Sequence, residues 1–219
     1  MAQIVSIAPF KGQVAEVALS DGRSLWLHNA LIYDAGLHKG DTLTEAQITE
    51  LLQQAADRRA FEYGLYLLER RGYSYRELYD KLMQAERADE QATLHALEKL
   101  VRLGFLNDAR YAEALARQLV EQKRYGLHRA AMEMRHRGLS AEEIDNALAP
   151  YEDPEDTAQR LMQLLERKYA RRLTDPHDRK AIESVKASLI RRGFDYSDVR
   201  NAIEDYFSDE DYEEEEIDS

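Results

Sequence analysis

Three stretches decide how this chain folds: RRGYSYRELYDKL at residues 70–82, HRGLSAEEIDNAL at 136–148 and RRGFDYSDVRNAI at 191–203. They align without gaps. Each has Arg before Gly (Gly72, Gly138, Gly193), then a large apolar residue (Tyr73, Leu139, Phe194). A capping residue follows (Ser74, Ser140, Asp195), with an acid three positions on at Glu77, Glu143 and Asp198. The pattern predicts a helix ending at a left-handed glycine, a tight turn, then a helix opened by a capping box. The apolar residue after Gly is placed to pack back over the turn. Gly104-Phe105 is a related junction, leading through Asn107-Asp108 into a helix that contains Tyr111.

Working outward, the residues between these turns carry helical stripes: Phe61, Leu65 and Leu68; Leu94, Leu97, Leu100 and Val101; Tyr111, Ala112, Leu115 and Leu119. Short junctions between amphipathic helices predict three-helix units in tandem, over 57–106, 107–151 and 152–207. The third spacing is the widest, so its helices are expected to be longer, over 154–171 and 176–192. Asp before Pro154 and before Pro176 has the form of an N-cap followed by the first helical residue.

The first 44 residues read differently. Ile4–Ile7, Val14–Leu19 and Leu25–Leu27 are β-prone, and Asp21-Gly22 between two of them signals a two-residue hairpin turn with both residues at positive φ. Gly40-Asp41 marks another turn. Thr44 and Gln47 have capping-box spacing and open a linking helix over 45–56. The fold class expected is therefore mainly α: an elongated, curved tandem array of three-helix repeats behind a small N-terminal β-hairpin element. The last sixteen residues hold ten acids and no base, which accounts for all but two of the net charge of -12. The run 208–219 is expected to be a solvated, disordered tail.

Charge and composition exclude several functions. Without the tail the body is nearly neutral, unlike a dedicated duplex-DNA binder. With no cysteine there is no disulfide, thiolate metal site or Cys nucleophile. No apolar run reaches the roughly 20 residues of a membrane span, and the N-terminus lacks a secretion signal, so a cytoplasmic protein is expected. Phosphate-loop, dinucleotide, zinc-protease and nucleophile-elbow motifs are all missing, and the reading is a non-enzymatic monomer with no metal or cofactor.

Arginine is the residue type that points to a partner. Arg70, Arg71, Arg135, Arg137, Arg191 and Arg192 precede the repeat glycines, at helix C-termini. Cations there complement the helix dipole by roughly 0.3–1 kcal/mol each. They also form a spaced series of guanidinium groups suited to carboxylates or phosphates on a partner. Lys123, Arg124, Tyr125 and Arg129 flank Gly126, a basic and aromatic set suited to phosphate contact and stacking, or to a plain solvated loop.

Three longer runs carry a family resemblance. LGFLNDARYAEALARQLV from Leu103, QKRYGLHRAAMEMRHRGLS from Gln122 and SLIRRGFDYSDVRNAI from Ser188 resemble the RecX regulatory proteins, and the likeness extends over roughly residues 2–207. Ala130 and Met134 depart from it, standing where the family usually has a branched apolar residue and Leu, and the acidic tail is not a family feature. The resemblance implies a partner, the RecA recombinase filament on single-stranded DNA. It implies binding in the filament groove that impedes growth, ATP turnover and strand exchange in DNA repair, with at most weak direct DNA contact. The alternative reading is a helical nucleic-acid-binding module that acts directly on DNA, since Arg-rich three-helix units have helix-turn-helix geometry.

Overall fold

The computed structural model describes residues 1–85 and 89–217, with side chains as far as Ser208. Two units, Met1–Asn107 and Asp108–Ser219, each pack within themselves. The chain is mainly helical, with one small antiparallel sheet.

In the first unit, β1 (Ala2–Lys11), β2 (Val14–Leu19), β3 (Ser24–His28) and β4 (Thr42–Leu43) form a sheet in the order β3-β2-β1-β4. The expected hairpin forms between β2 and β3 and is extended to a four-stranded sheet, because β1 pairs on both sides: Ile4 opposite Leu19, and Ala2 opposite Leu43. The Asp21-Gly22 turn forms, with one correction. Gly22 alone takes positive φ (87°) and donates to the Leu19 carbonyl at 3.1 Å, so the loop is longer than the two-residue form. A short helix α1 (Asn29–Asp34) links β3 to β4.

Helix α2 (Glu45–Arg70) opens on the Thr44–Gln47 capping box, as the sequence predicts. It then runs unbroken through the expected boundary between a linker and the first repeat. Nothing between 45 and 70 stops it: there is no proline, and the one glycine, Gly64, is a packing site. A Cβ there would lie 2.8 Å from Leu100, so α2 closely approaches the helix that carries Leu100. The apolar face shifts along α2. Ile48, Leu51 and Ala55 close the sheet core with Ile4, Val17 and Leu27. Leu67 joins the next core with Tyr73, Leu78, Leu97, Leu100 and Leu106, supplied by α3 (Tyr75–Met83), α4 (Glu90–Arg102) and the turns beside them.

In the second unit, α5 (Asp108–Arg117) continues through a wider π turn at Gln118–Gln122 and is followed by α6 (Leu127–His136) and α7 (Ala141–Leu148). Ala130 and Met134 are both fully buried at 0 % exposure, packed with Leu115, Leu119 and Ile144. The adaptable methionine side chain occupies the space a Leu would take. Then come α8 (Pro154–Leu164), which passes into a π turn at Leu165–Tyr169, α9 (Arg179–Arg191) and α10 (Tyr196–Ile217). Leu161, Leu165, Tyr169, Val185, Leu189, Phe194 and Val199 form this last core. Pro154 stands first in α8 behind Asp153, as expected. Pro176 does not start α9: Asp178 caps it, accepting from the Ala181 amide at 3.0 Å. Asp175 instead closes a tight turn by accepting from the His177 amide at 2.8 Å. The expected tail lies, beyond Ser208, outside the residues whose side chains are described; the backbone of α10 is helical to Ile217.

The glycine turns follow the predicted mechanism at three places. Gly104, Gly138 and Gly193 have φ of 76°, 76° and 91°. Phe105, Leu139 and Phe194 donate back to Leu100, Met134 and Leu189 at 3.0, 3.4 and 3.3 Å, closing the helix ends. The Gly72 junction differs. Arg71 leaves α2 in an extended conformation (φ -161°, ψ 166°), so the chain exits without the left-handed clasp at the helix end.

Candidate partner-binding surface

Six of the ten residues singled out above converge on one place in the second unit, where the turn before α6 meets the turn after α9. The segment after α5 reverses at Arg124, which takes φ of 54°. Positive φ in a residue with a Cβ costs roughly 1–2 kcal/mol, and the surrounding contacts hold it there. Next to it, the Gly126 amide donates to the Arg192 carbonyl at 2.8 Å, and the His128 amide to the Gly193 carbonyl at 3.3 Å. The two turns touch backbone to backbone. A Cβ on Gly126 would run into the Gly193 carbonyl, and a Cβ on Gly193 would run into the Arg129 backbone.

Side chains complete the joint from both directions. Arg129 donates to the Arg191 carbonyl at 3.2 Å and lies 4.2 Å over the Tyr125 ring. Arg192 reaches back to the Lys123 carbonyl at 3.3 Å, with the Arg124 carbonyl at 3.5 Å. These guanidinium groups satisfy carbonyls left open at helix ends, each bond adding about 1 kcal/mol net. Arg129 and Arg192 therefore join two repeats, a role that the sequence reading did not assign them. Lys123 is exposed, its ammonium 5.9 Å from the Tyr125 ring. Arg191 is exposed too. Tyr125 is half-buried against the second-repeat core.

The remaining four lie elsewhere. Arg135 is exposed on α6, while Arg137 donates to the Tyr111 hydroxyl at 3.1 Å and ties its turn to α5. The other two are in the first unit. Arg70 sits 4.4 Å over the exposed Tyr66 ring. Arg71 bridges to Glu77 at 3.1 Å and covers the Tyr73 ring at 3.6 Å. The outward cations are thus Arg70, Lys123, Arg135 and Arg191, with Arg124 half-buried.

Arg160 escaped the sequence reading, which holds no signal for it. It reaches the Tyr151 carbonyl at 2.9 Å and the Thr157 hydroxyl at 2.7 Å, and its Nε has no partner. Burial lowers its pKa. It lines a cavity of about 210 Å³ with Arg124, Glu121 and Phe194. Nearby, burial and a 2.7 Å bond to Glu121 raise the Tyr151 pKa. Among the described residues no group of three or more His, Asp or Glu is placed to hold a metal ion, and no helix is long and apolar enough to cross a membrane.

Comparison with known proteins bears on the family and the fold. The family profile described as "RecX, second three-helix domain" matches residues 107–148, and "RecX, third three-helix domain" matches 155–203. The chain is 34% identical over 141 residues to a regulatory protein RecX from Trichlorobacter lovleyi, covering 64% of this chain and 91% of that one. A regulatory protein RecX from Enterococcus faecalis is 23% identical over 98% of this chain and 80% of its own. A crystal structure of a regulatory protein RecX superposes with a TM-score of 0.71 at 23% identity, over 94% of this chain and 100% of that one. RecX from Lactobacillus salivarius gives a TM-score of 0.62 at 22% identity, over 69% and 96%.

Proposed function

We infer the role of this chain from the premise that it belongs to the RecX family of regulatory proteins. It acts as a non-enzymatic adaptor in the cytoplasm, binding the RecA filament on single-stranded DNA and slowing its growth, ATP turnover and strand exchange. The observation that supports this reading is the joint between the second and third repeats. Backbone bonds and the Arg129 and Arg192 clasps fix the two turns in one register. Lys123 and Arg191, both exposed, are therefore carried on turns held in a preformed support, so less ordering entropy is lost on binding. Weak contacts repeated on a helical polymer then add through linkage.

The test is recombinase ATPase on single-stranded DNA with substoichiometric protein. Wild type should halt turnover. Charge reversal at Lys123, Arg135 and Arg191 should weaken inhibition at least roughly ten-fold with the melting temperature unchanged. Unaltered inhibition in that variant removes the reading. A second reading, direct action on DNA, draws support from exposed aromatic and basic residues in the first unit. Tight binding without recombinase, with a steep salt dependence, would favour it.

A further inference from the structure

The outer side of the N-terminal sheet is chemically unlike the rest of the surface. Leu25 and Leu27 on β3 are buried, and between them Trp26, the one tryptophan of the chain, is 45 % exposed. Phe10 on β1, 65 % exposed, meets it edge-on with ring centres 6.5 Å apart. Both line a groove of about 320 Å³ whose other wall is α2, with Arg58 and Arg59 facing Lys11 across it. The acid in this groove, Glu62, is bridged to Arg58 at 2.8 Å, which leaves Lys11 and Arg59 as its net charge. Glu16, opposite Trp26 in the sheet register, accepts a hydrogen bond from Ser24.

Arg59 also lines the next hollow along α2, together with Tyr63 and with Asp89, whose carboxylate caps the following helix by accepting from the Ala92 amide. The track continues from there at spacings of four, three and four: Arg59, Tyr63, Tyr66, Arg70. The two tyrosine rings stack at 6.2 Å and 20°, and Arg70 lies over the second. At 1.5 Å per residue this ladder is about 16 Å long.

Exposed aromatic residues taken singly need no explanation. Four of them interleaved with cations along a groove and a helix face do. An apolar partner helix laid here would bury Lys11, Arg59 and Arg70 without counter-charges, at a large desolvation cost. A ligand with flat rings and regular negative charge satisfies both sets of groups: bases stack on the aromatic faces while phosphates meet the cations. We propose that this face of the first unit, from Phe10 and Trp26 through Arg59 to Tyr66 and Arg70, binds a short stretch of single-stranded nucleic acid. The proposal does not rest on the recombinase reading, and its test contains no recombinase.

Trp26 is its own reporter. Titrating the full chain with an oligo-dT of about fifteen nucleotides should quench Trp26 fluorescence saturably. Inorganic tripolyphosphate, which has charge but no rings, should not. With a labelled oligonucleotide followed by anisotropy, W26A and Y66A should each weaken binding roughly ten- to hundred-fold, and W26F should stay near wild type. R59E should weaken binding and flatten its salt dependence. Circular dichroism verifies that each variant is folded. Three results would each overturn the proposal: no quenching at low salt, binding undiminished in W26A and Y66A, or equal quenching by tripolyphosphate.

Discussion

Residues 70–72 and 191–193 spell the same tripeptide, Arg-Arg-Gly, each followed by an aromatic residue, and the two turns are built differently. At the first, Arg71 bends back onto its own turn, pairing with Glu77 and covering Tyr73. At the second, Arg192 reaches away to the carbonyls of Lys123 and Arg124, some seventy residues earlier, and the glycine is pressed against another backbone. One turn is self-contained, and the other is half of a joint. The difference comes from what faces them. Gly126, lacking a Cβ, lets the second repeat close onto Gly193.

The largest test of this contrast uses two glycines of similar conformation. Gly193 and Gly104 both have positive φ, but a Cβ on Gly104 would meet open space. Gly193→Ala should cost about 3 kcal/mol or more, backbone strain plus overpacking. Gly104→Ala should cost about 1–2 kcal/mol, the strain alone. Urea midpoints measure both, and equal losses would show that the joint is not tightly packed.

The arginines give a smaller difference. Arg192→Ala should lose about 1–2 kcal/mol, because carbonyls at the joint lose a charged donor. Arg71→Ala removes an ion pair that is half solvated on its arginine side, and should lose under about 1 kcal/mol. A reversal of that order in thermal melts would contradict the assignment of the second turn as the structural one.

The smallest effect comes from Arg23, which does both jobs at once. It pairs with Asp21 in its own turn at 2.6 Å and with Glu45 at the start of α2 at 2.7 Å. Hydrogen bonds from Arg23 hold both carboxyl groups below their ordinary values. A folded pKa below the unfolded one adds stability that is present above the unfolded value, about 4, and is lost as pH falls through the lowered one. Wild type should therefore lose a little stability below about pH 4. Arg23→Ala should lack that part of the slope, and a variant with an unchanged acid limb would mean that the bridge adds nothing in solution.

Much of this fold was legible because its turns have chemical requirements. A left-handed glycine with a capping residue two positions on can be read locally, and Gly138-Ser140 behaves as read. The sheet beyond one hairpin was not legible, since β4 is two residues long and its pairing with Ala2 and Gln3 spans some forty positions. At 56 the structure shows a continuous helix, because a helix whose apolar face shifts midway has no stop signal. In the candidate surface the residues can be named from the sequence, but their contacts cannot. Sequence marks Arg192 as a cation at a helix end, but the carbonyls it binds sit at Lys123 and Arg124, a contact with no local trace. Trp26 left a faint signal, a large aromatic residue out of phase with two buried leucines, and strand alternation alone would have found it.

The unbroken course of α2 limits how the chain can be divided. Its 26 residues make a rod about 39 Å long that supplies Ile48 and Leu51 to one core and Leu67 to the next. Cutting before residue 57 would leave Ile48, Leu51 and Ala55 with the sheet on a severed half-helix, and the first repeat without the opening turns of its longest helix. A swap of N-terminal elements between relatives would have to carry α2 whole, so the natural unit of exchange ends at Arg70, inside the first repeat.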